Sequence, residues 1–266
     1  MIRYILTAAF LAASPAMAGD IDQTIADAPD VSGQLRPSVS WNGFYAGAVA
    51  GLATSTGRAD LGAHGGVLIP LDVANGLFPR SIGHMNESLT GGITAGYNIQ
   101  HGAFVGGVEA DISFADFKIR HTMSRIDPNP FPPFTGQVTN SAFHTDYGVL
   151  ATARVRAGVA IDRTLLYATG GLAAGKVTNR FSIGLPGLGY TSPDWSASKS
   201  RYGYAVGAGI EHKLTENVSM KLEGLYVNLQ DAVVSGVDPV TFPGESISYR
   251  FSNDMIVGRL GLNVAF

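Results

Sequence analysis

From Trp41 to Phe266 the chain repeats one theme, and that theme limits it to very few folds. Segments of roughly ten to fifteen residues alternate apolar and polar side chains, and the gaps between them run short, long, short, long. A period of two is the signature of a β-strand with one apolar face. In Tyr147–Ile161 the odd positions read Tyr, Val, Ala, Ala, Val, Ala, Val, Ile, and the even positions carry Gly148, Thr152, Arg154 and Arg156. Five more segments split the same way, over residues 89–100, 108–114, 201–211, 218–226 and 256–266. Gly43–Thr54 and Thr164–Thr178 alternate poorly and are taken as strands by position, which makes eight. Tyr147–Ile161 is longer than the ~9–11 residues that a tilted strand needs to cross a bilayer.

The joints fit that count. Gln100-His101-Gly102, Ile161-Asp162-Arg163 and Leu214–Asn217 are tight turns, and long loops are expected over about 55–87, 117–143, 179–199 and 231–249. The long loops carry turn-formers such as Asp127-Pro128-Asn129-Pro130, Pro186-Gly187 and Pro243-Gly244. Short turns on one side and long loops on the other fit an eight-stranded antiparallel transmembrane β-barrel with periplasmic turns and four extracellular loops. A soluble barrel would have the same periodicity with its apolar face inside. Two features favour the inverted, membrane form. The polar face mixes charges with glycines, which make a poor water-facing surface. The apolar face carries Tyr97, Phe114, Tyr147, Tyr202, Tyr204, Tyr226 and Phe266 near segment ends, like the aromatic girdles of membrane barrels.

The N-terminus gives the compartment. Arg3, the apolar run Tyr4–Ala13, the break at Ser14-Pro15 and the small residues Ala16 and Ala18 form the layout of a secretory signal peptide over residues 1–18. Residues 19–40 then read as a flexible periplasmic leader and 41–266 as the barrel. Removing the signal leaves 17 basic and 21 acidic residues, a balance of -4 with no basic run, which argues against nucleic-acid binding. There is no cysteine, hence no thiolate site or disulfide. The 34 glycines among 266 residues are about twice the ordinary ~7% and must sit inside structure. Beyond the signal no apolar run reaches the ~18 residues of a membrane helix.

With the charged face turned inward, Glu109, Asp111, Glu211 and Glu223 meet Arg154, Arg156, Lys221 and Arg259 on adjoining strands. Unpaired buried charges are very costly, so four acids and four bases should pair. Eight strands leave an interior just wide enough for side chains to fill. The expectation is a salt-bridged plug rather than a channel, with inward glycines making room for long cationic side chains. No enzyme chemistry is visible. The six histidines (His64, His84, His101, His121, His144 and His212) lack HExxH or comparable metal spacing, His121 and Ser124 are not offset to share one wall, and Gly170-Gly171 is not followed by GK[ST]. No metal or cofactor is expected.

Several stretches resemble a known family. Trp41-Asn42-Gly43-Phe44-Tyr45-Ala46-Gly47 resembles the first strand of the small outer-membrane barrels of alphaproteobacteria, which include surface antigens and haemin-binding proteins and are related to OmpA-like transmembrane barrels. Residues 162–171 (DRTLLYATGG), Tyr204–Glu211, Leu222–Tyr226 and Leu260–Phe266 are similar to later strands of that family, the last ending on the Phe266 signal read by the barrel-assembly machinery. The resemblance covers about 41–266. It implies a structural barrel in the cell outer membrane that supports envelope integrity and displays surface loops, set among outer-membrane lipid and lipopolysaccharide. Some relatives tether to peptidoglycan, and Ala18-Gly19-Asp20 resembles that attachment sequence, with Gly19 as the new amine. The first two loops are longer than in typical members, so no ligand carries over. Two other functions remain open at this point, a narrow porin for small solutes and a surface receptor or adhesin, for haemin for example, using the long loops.

Overall fold

The computed structural model describes residues 39–83, 86–127, 133–238 and 242–266. The expected signal peptide, Gly19, His84 and nearly all of the leader lie outside these residues. The described chain is almost all strand: β1 (Gly43–Ser55), β2 (Arg58–Gly65), a short helix α1 (Leu68–Ala74), β3 (Ser81–Gly83), β4 (Asn86–His101), β5 (Phe104–Ile126), β6 (Val138–Ile161), β7 (Thr164–Leu185), β8 (Tyr190–Thr191), β9 (Trp195–Lys213), β10 (Val218–Val237) and β11 (Ser246–Ala265). Strands β1, β4, β5, β6, β7, β9, β10 and β11 pair antiparallel in that order, and β11 closes back on β1 from Tyr45↔Ala265 to Ser55↔Met255. Eight strands thus form a closed ring with no free edge at membrane depth, as an apolar solvent requires. No helix among the described residues is long and apolar enough to cross a membrane.

Three tight turns join the ring at one end. Gly102 sits at φ 60, and Asp162 at φ 50 is the one non-glycine residue with positive φ among those described. Asp tolerates this left-handed conformation better than most residues because its short side chain can bond locally. Outside the ring lies an apolar band. On β11 it comprises Ile256, Leu260, Leu262 and Val264, all exposed, with Met255, Val257 and Arg259 buried between them. The band is about as long as a bilayer-crossing strand.

The strands do not stop where this band stops. Residues 117–126, 138–143, 179–185, 195–199, 231–237 and 246–249, expected as loops, are strand, and region 55–87 contains β2, α1 and β3. The reason is an inversion of amphipathic sense. On β7 the outward residues within the band are Leu166, Ala168, Leu172 and Ala174. Beyond it they are Lys176, Thr178, Arg180 and Ser182, while Val177, Phe181 and Ile183 turn inward. Lipid wants the apolar side chains outside, and water wants them inside. A bulge on β6 between Tyr147 and Leu150 achieves the same swap differently. An extra residue reverses every facing beyond it, so Tyr147, expected in the outer girdle, is buried in the lumen with its hydroxyl 3.5 Å from Ser55 Oγ. The other girdle aromatics (Tyr97, Phe114, Tyr202, Tyr204, Tyr226 and Phe266) are exposed.

Above the band the ring opens into two sheets. Pairing of β9 with β10 ends at Gly203↔Leu229, and pairing of β4 with β5 ends at Thr90↔Ala115. Strands β5, β6, β7 and β9 continue as one sheet, and β10, β11, β2 and β3 as another. Their inner faces meet through Phe143, Phe181, Tyr249 and Phe251, with Phe143 and Phe181 each about 5 Å, ring to ring, from Tyr249. Side chains span the seam between β9 and β10. Trp195 Nε1 donates to the Val237 carbonyl at 3.1 Å and Arg201 Nη1 to the Asp231 carbonyl at 2.7 Å. Across the other opening, Arg125 Nη1 donates to the Gly76 carbonyl at 2.9 Å.

Candidate functional site: the plugged lumen and the extracellular cleft

The lumen is layered. At the turn end Trp41, Val105, Ala160, Leu165 and Tyr167 form an apolar cluster. Trp41 is held there by its amide, which donates to Gln100 Oε1 at 2.7 Å, while Asn42 Oδ1 accepts from the Gln100 amide at 2.7 Å. Trp41 thus sits at the turn end of the ring, just ahead of β1.

Above it lie all eight charges expected inside. Arg154 Nη2 reaches Glu109 at 2.6 Å and Asp111 at 2.9 Å, and its Nη1 reaches Glu223 at 3.2 Å. Arg259 Nη1 binds Asp111 at 3.0 Å and Nη2 binds Glu223 at 2.6 Å. Lys221 Nζ meets Glu109 Oε2 at 2.7 Å, and Arg156 Nη2 meets Glu211 Oε2 at 2.7 Å. All eight side chains are at most 4% exposed. Four negative and four positive groups cancel, which a low-dielectric interior demands.

Uncharged residues that sequence reasoning passed over complete the network. Tyr45 Oη donates to Glu109 at 2.8 Å and accepts from Arg156 at 2.9 Å. Tyr167 Oη donates to Glu223 at 2.9 Å, and the Arg156 guanidinium lies 4.1 Å from the Tyr167 ring centroid. Thr152 donates to Asp111, and Ser219 and Asn263 to Glu211. The available signal was parity, since Tyr45 and Tyr167 share an inward register with glycines. Those glycines are close-packed. A Cβ on Gly209 would lie 2.6 Å from the Tyr167 hydroxyl, and one on Gly261 2.9 Å from Lys221 Cγ.

Next comes a second apolar layer, with Tyr147, Val177, Leu225, Val227, Leu229, Met255 and Val257, and then the aromatic core between the two sheets. At the extracellular mouth an apolar cleft of ≈ 70 Å³ is lined by residues of all four surface segments, including Leu68, Phe134, Leu185, Trp195, Phe242 and Ile247. Its ionisable lining is acidic (Asp72, Asp127, Asp238 and Glu245). Glu245 spans the cleft and accepts the amides of Val67, Leu68 and Ile69 at 2.7–2.9 Å. Burial works against its charged form, but these three donors hold its carboxyl below the usual carboxylate range.

Among the described residues no group of His, Cys, Asp and Glu is arranged to hold a metal. His121 and Ser124, expected in a loop, lie on β5 three positions apart and so on opposite faces; Ser124 donates to Asn140 Oδ1 at 2.7 Å. Phe266, the expected assembly signal, is exposed at the end of β11, its amide bonded to the Phe44 carbonyl at 2.9 Å.

A family model described as an outer membrane protein beta-barrel domain matches residues 5–253. A 22 kDa outer membrane protein of Rhizobium leguminosarum bv. viciae is 27% identical over 233 residues, 87% of this chain and 81% of that protein. A 31 kDa outer-membrane immunogenic protein of Brucella melitensis is 28% identical over 263 residues, 96% and 95% of the two chains. Among solved structures, the outer membrane protease OmpT of Escherichia coli aligns with TM-score 0.49 and 9% identity over 84% of this chain and 97% of its own. OprG of Pseudomonas aeruginosa aligns with TM-score 0.47 and 13% identity over 85% and 96%. With its family model spanning most of the sequence and its closed, lipid-facing ring, the chain belongs to the outer membrane β-barrel protein family and resides in the outer membrane.

Proposed function

We propose that this protein is a structural outer-membrane barrel, neither a pore nor an enzyme, whose extracellular sheets display the surface segments. One observation supports the reading: the eight charges pair off among themselves in a neutral layer that lies between two clusters of buried apolar side chains, so the lumen is filled at that depth. Water does not wet narrow apolar constrictions readily. The charges hold strands together across the barrel, their ion pairs joining β5 to β6, β10 and β11, β6 to β9 and β10, and β10 to β11. The barrel-assembly machinery, reading Phe266, and peptidoglycan, through Gly19, are the other partners in this proposal.

The test is single-channel conductance of the refolded mature protein in a planar bilayer, with heat-modifiable gel migration confirming the fold. A silent membrane is the expected result. Steady openings on the nanosiemens scale would replace this reading with the narrow porin.

A further inference from the structure

The outward faces of the two extracellular sheets differ in charge pairing. On the sheet of β10, β11 and β2, Arg250 lies opposite Asp60 in register, and its guanidinium is 3.7 Å from Asp231. Base and acid there answer each other. On the sheet of β5, β6 and β7 the register sets Arg120 opposite His144 and His144 opposite Arg180, and Ser196 of β9 extends the row. These side chains point away from the core, since Phe143 and Thr145 flank His144, and Asn179 and Phe181 flank Arg180, all buried inward. Arg120 and Arg180 are exposed, and among the described residues neither makes an ion pair. Directly opposite side chains sit about 5 Å apart at Cβ, so the row spans about 10 Å and both guanidinium groups can converge over His144.

Height fixes what such a row meets. Lys176, the first charged outward residue of β7, follows the last apolar one, Ala174. Arg180 lies four residues further, about 13 Å along the strand and about 10 Å along the membrane normal at the usual tilt. With the apolar band taken as the hydrocarbon core, Lys176 stands where headgroup phosphates are expected and the Arg120 row about 10 Å above them, among the headgroup sugars. Among the described residues the acids near the row are Asp146, one pleat below His144 with Lys118 opposite it in register, and Asp194, exposed two residues before Ser196. Threonine and serine surround the row, Thr178 and Ser198 sharing a hydrogen bond at 2.9 Å, a surface suited to sugar hydroxyls.

We propose that Arg120, His144, Arg180 and Lys176 form a binding site for the anionic inner-core headgroup of one lipopolysaccharide molecule, which fixes this side of the barrel in the outer leaflet. Arginine suits the role because its planar fork pairs with phosphate oxygens two at a time. The proposal is independent of whether the lumen conducts.

The test compares the refolded full mature chain in phosphatidylcholine vesicles with and without rough-type lipopolysaccharide, titrated to follow binding and the midpoint of heat-modifiable migration. R120S/R180S should weaken lipopolysaccharide binding about tenfold or more, while R58S/R250S on the other sheet should leave it unchanged. Equal losses in both pairs would reduce the effect to general charge and overturn the site. So would inorganic phosphate alone reproducing the full stabilisation, since the site would then be a free-anion site. A measurement on the unsubstituted chain guards against misfolding of the variant. Lipopolysaccharide should slow diethylpyrocarbonate modification of His144 several-fold and leave that of His64, on the other sheet, unaltered. Equal rates at His144 with and without lipopolysaccharide would refute the proposal.

Discussion

The Arg156–Glu211 pair allows the sharpest test of how the lumen is held. Glu211 has one cation against it, Arg156 at 2.7 Å, besides the uncharged donors Ser219 and Asn263. Both side chains are nearly sealed from water, at 1% and 4% exposure. Arg156→Met therefore leaves a buried carboxylate with neutral partners, and breaking a buried pair in this way costs about 3–5 kcal/mol. Glu211→Leu leaves Arg156 with Tyr45, the Tyr167 ring and a more distant Glu109 at 3.6 Å, so its cost should fall nearer about 3 kcal/mol. When both charges go no unpaired buried charge remains, and the remaining cost is that of the donors Ser219 and Asn263 left without an acceptor, about 1–3 kcal/mol each. The double variant should cost about 3–4 kcal/mol rather than the sum of about 7, a coupling of about 3 kcal/mol. The assay is urea unfolding of the vesicle-refolded barrel, followed by fluorescence of its two tryptophans, Trp41 and Trp195, and by migration of unboiled samples. Single and double costs adding to within about 0.5 kcal/mol would refute the idea that mutual neutralisation keeps these residues buried.

Gly209→Ala should destabilise by about 1–3 kcal/mol through overpacking against the Tyr167 ring, read in the same urea assay; a neutral result would mean that the ring is free to move. Trp195→Ala should raise hydrogen exchange of amides in 195–202 and 230–237, where β9 and β10 are not paired, and leave 203–213 protected. Gly236→Val should act on the same seam, since a Cβ there would lie 2.7 Å from the Trp195 ring. Glu245 has a lowered folded pKa, so its contribution is present above the unfolded value of about 4.3 and is lost as pH falls through the lower folded value. Protection of the Val67, Leu68 and Ile69 amides, corrected for intrinsic exchange, should therefore fall on acidification, and Glu245→Ala should show the low protection already at neutral pH.

The period-two pattern determined the clear strands and which charged side chains share a face; the alternation of short and long gaps completed the count of eight, and the glycines on the charged face with the aromatics at segment ends pointed to the membrane form. Side chains alternate strictly across a strand, so facing within a segment can be read locally. The inversion above the membrane could not be read that way. On β6 the apolar residues keep odd positions from Tyr147 to Ile161, yet the bulge before Leu150 sends one part inward and the other to lipid. A bulge is a mismatch between two strands, and one strand's sequence does not contain it. Charge partners depend still more on closure. Lys221 and Glu109 are 112 residues apart, and Arg259 and Asp111 are 148 apart. Which acid meets which base is settled by barrel register and by distances across the lumen. Facing along the strands determined that four acids and four bases must neutralise one another inside; only the closed ring decided the pairs, recruited Tyr45 and Tyr167, and set His144 between two arginines, because each of these requires strands distant in sequence to lie within a side chain's reach.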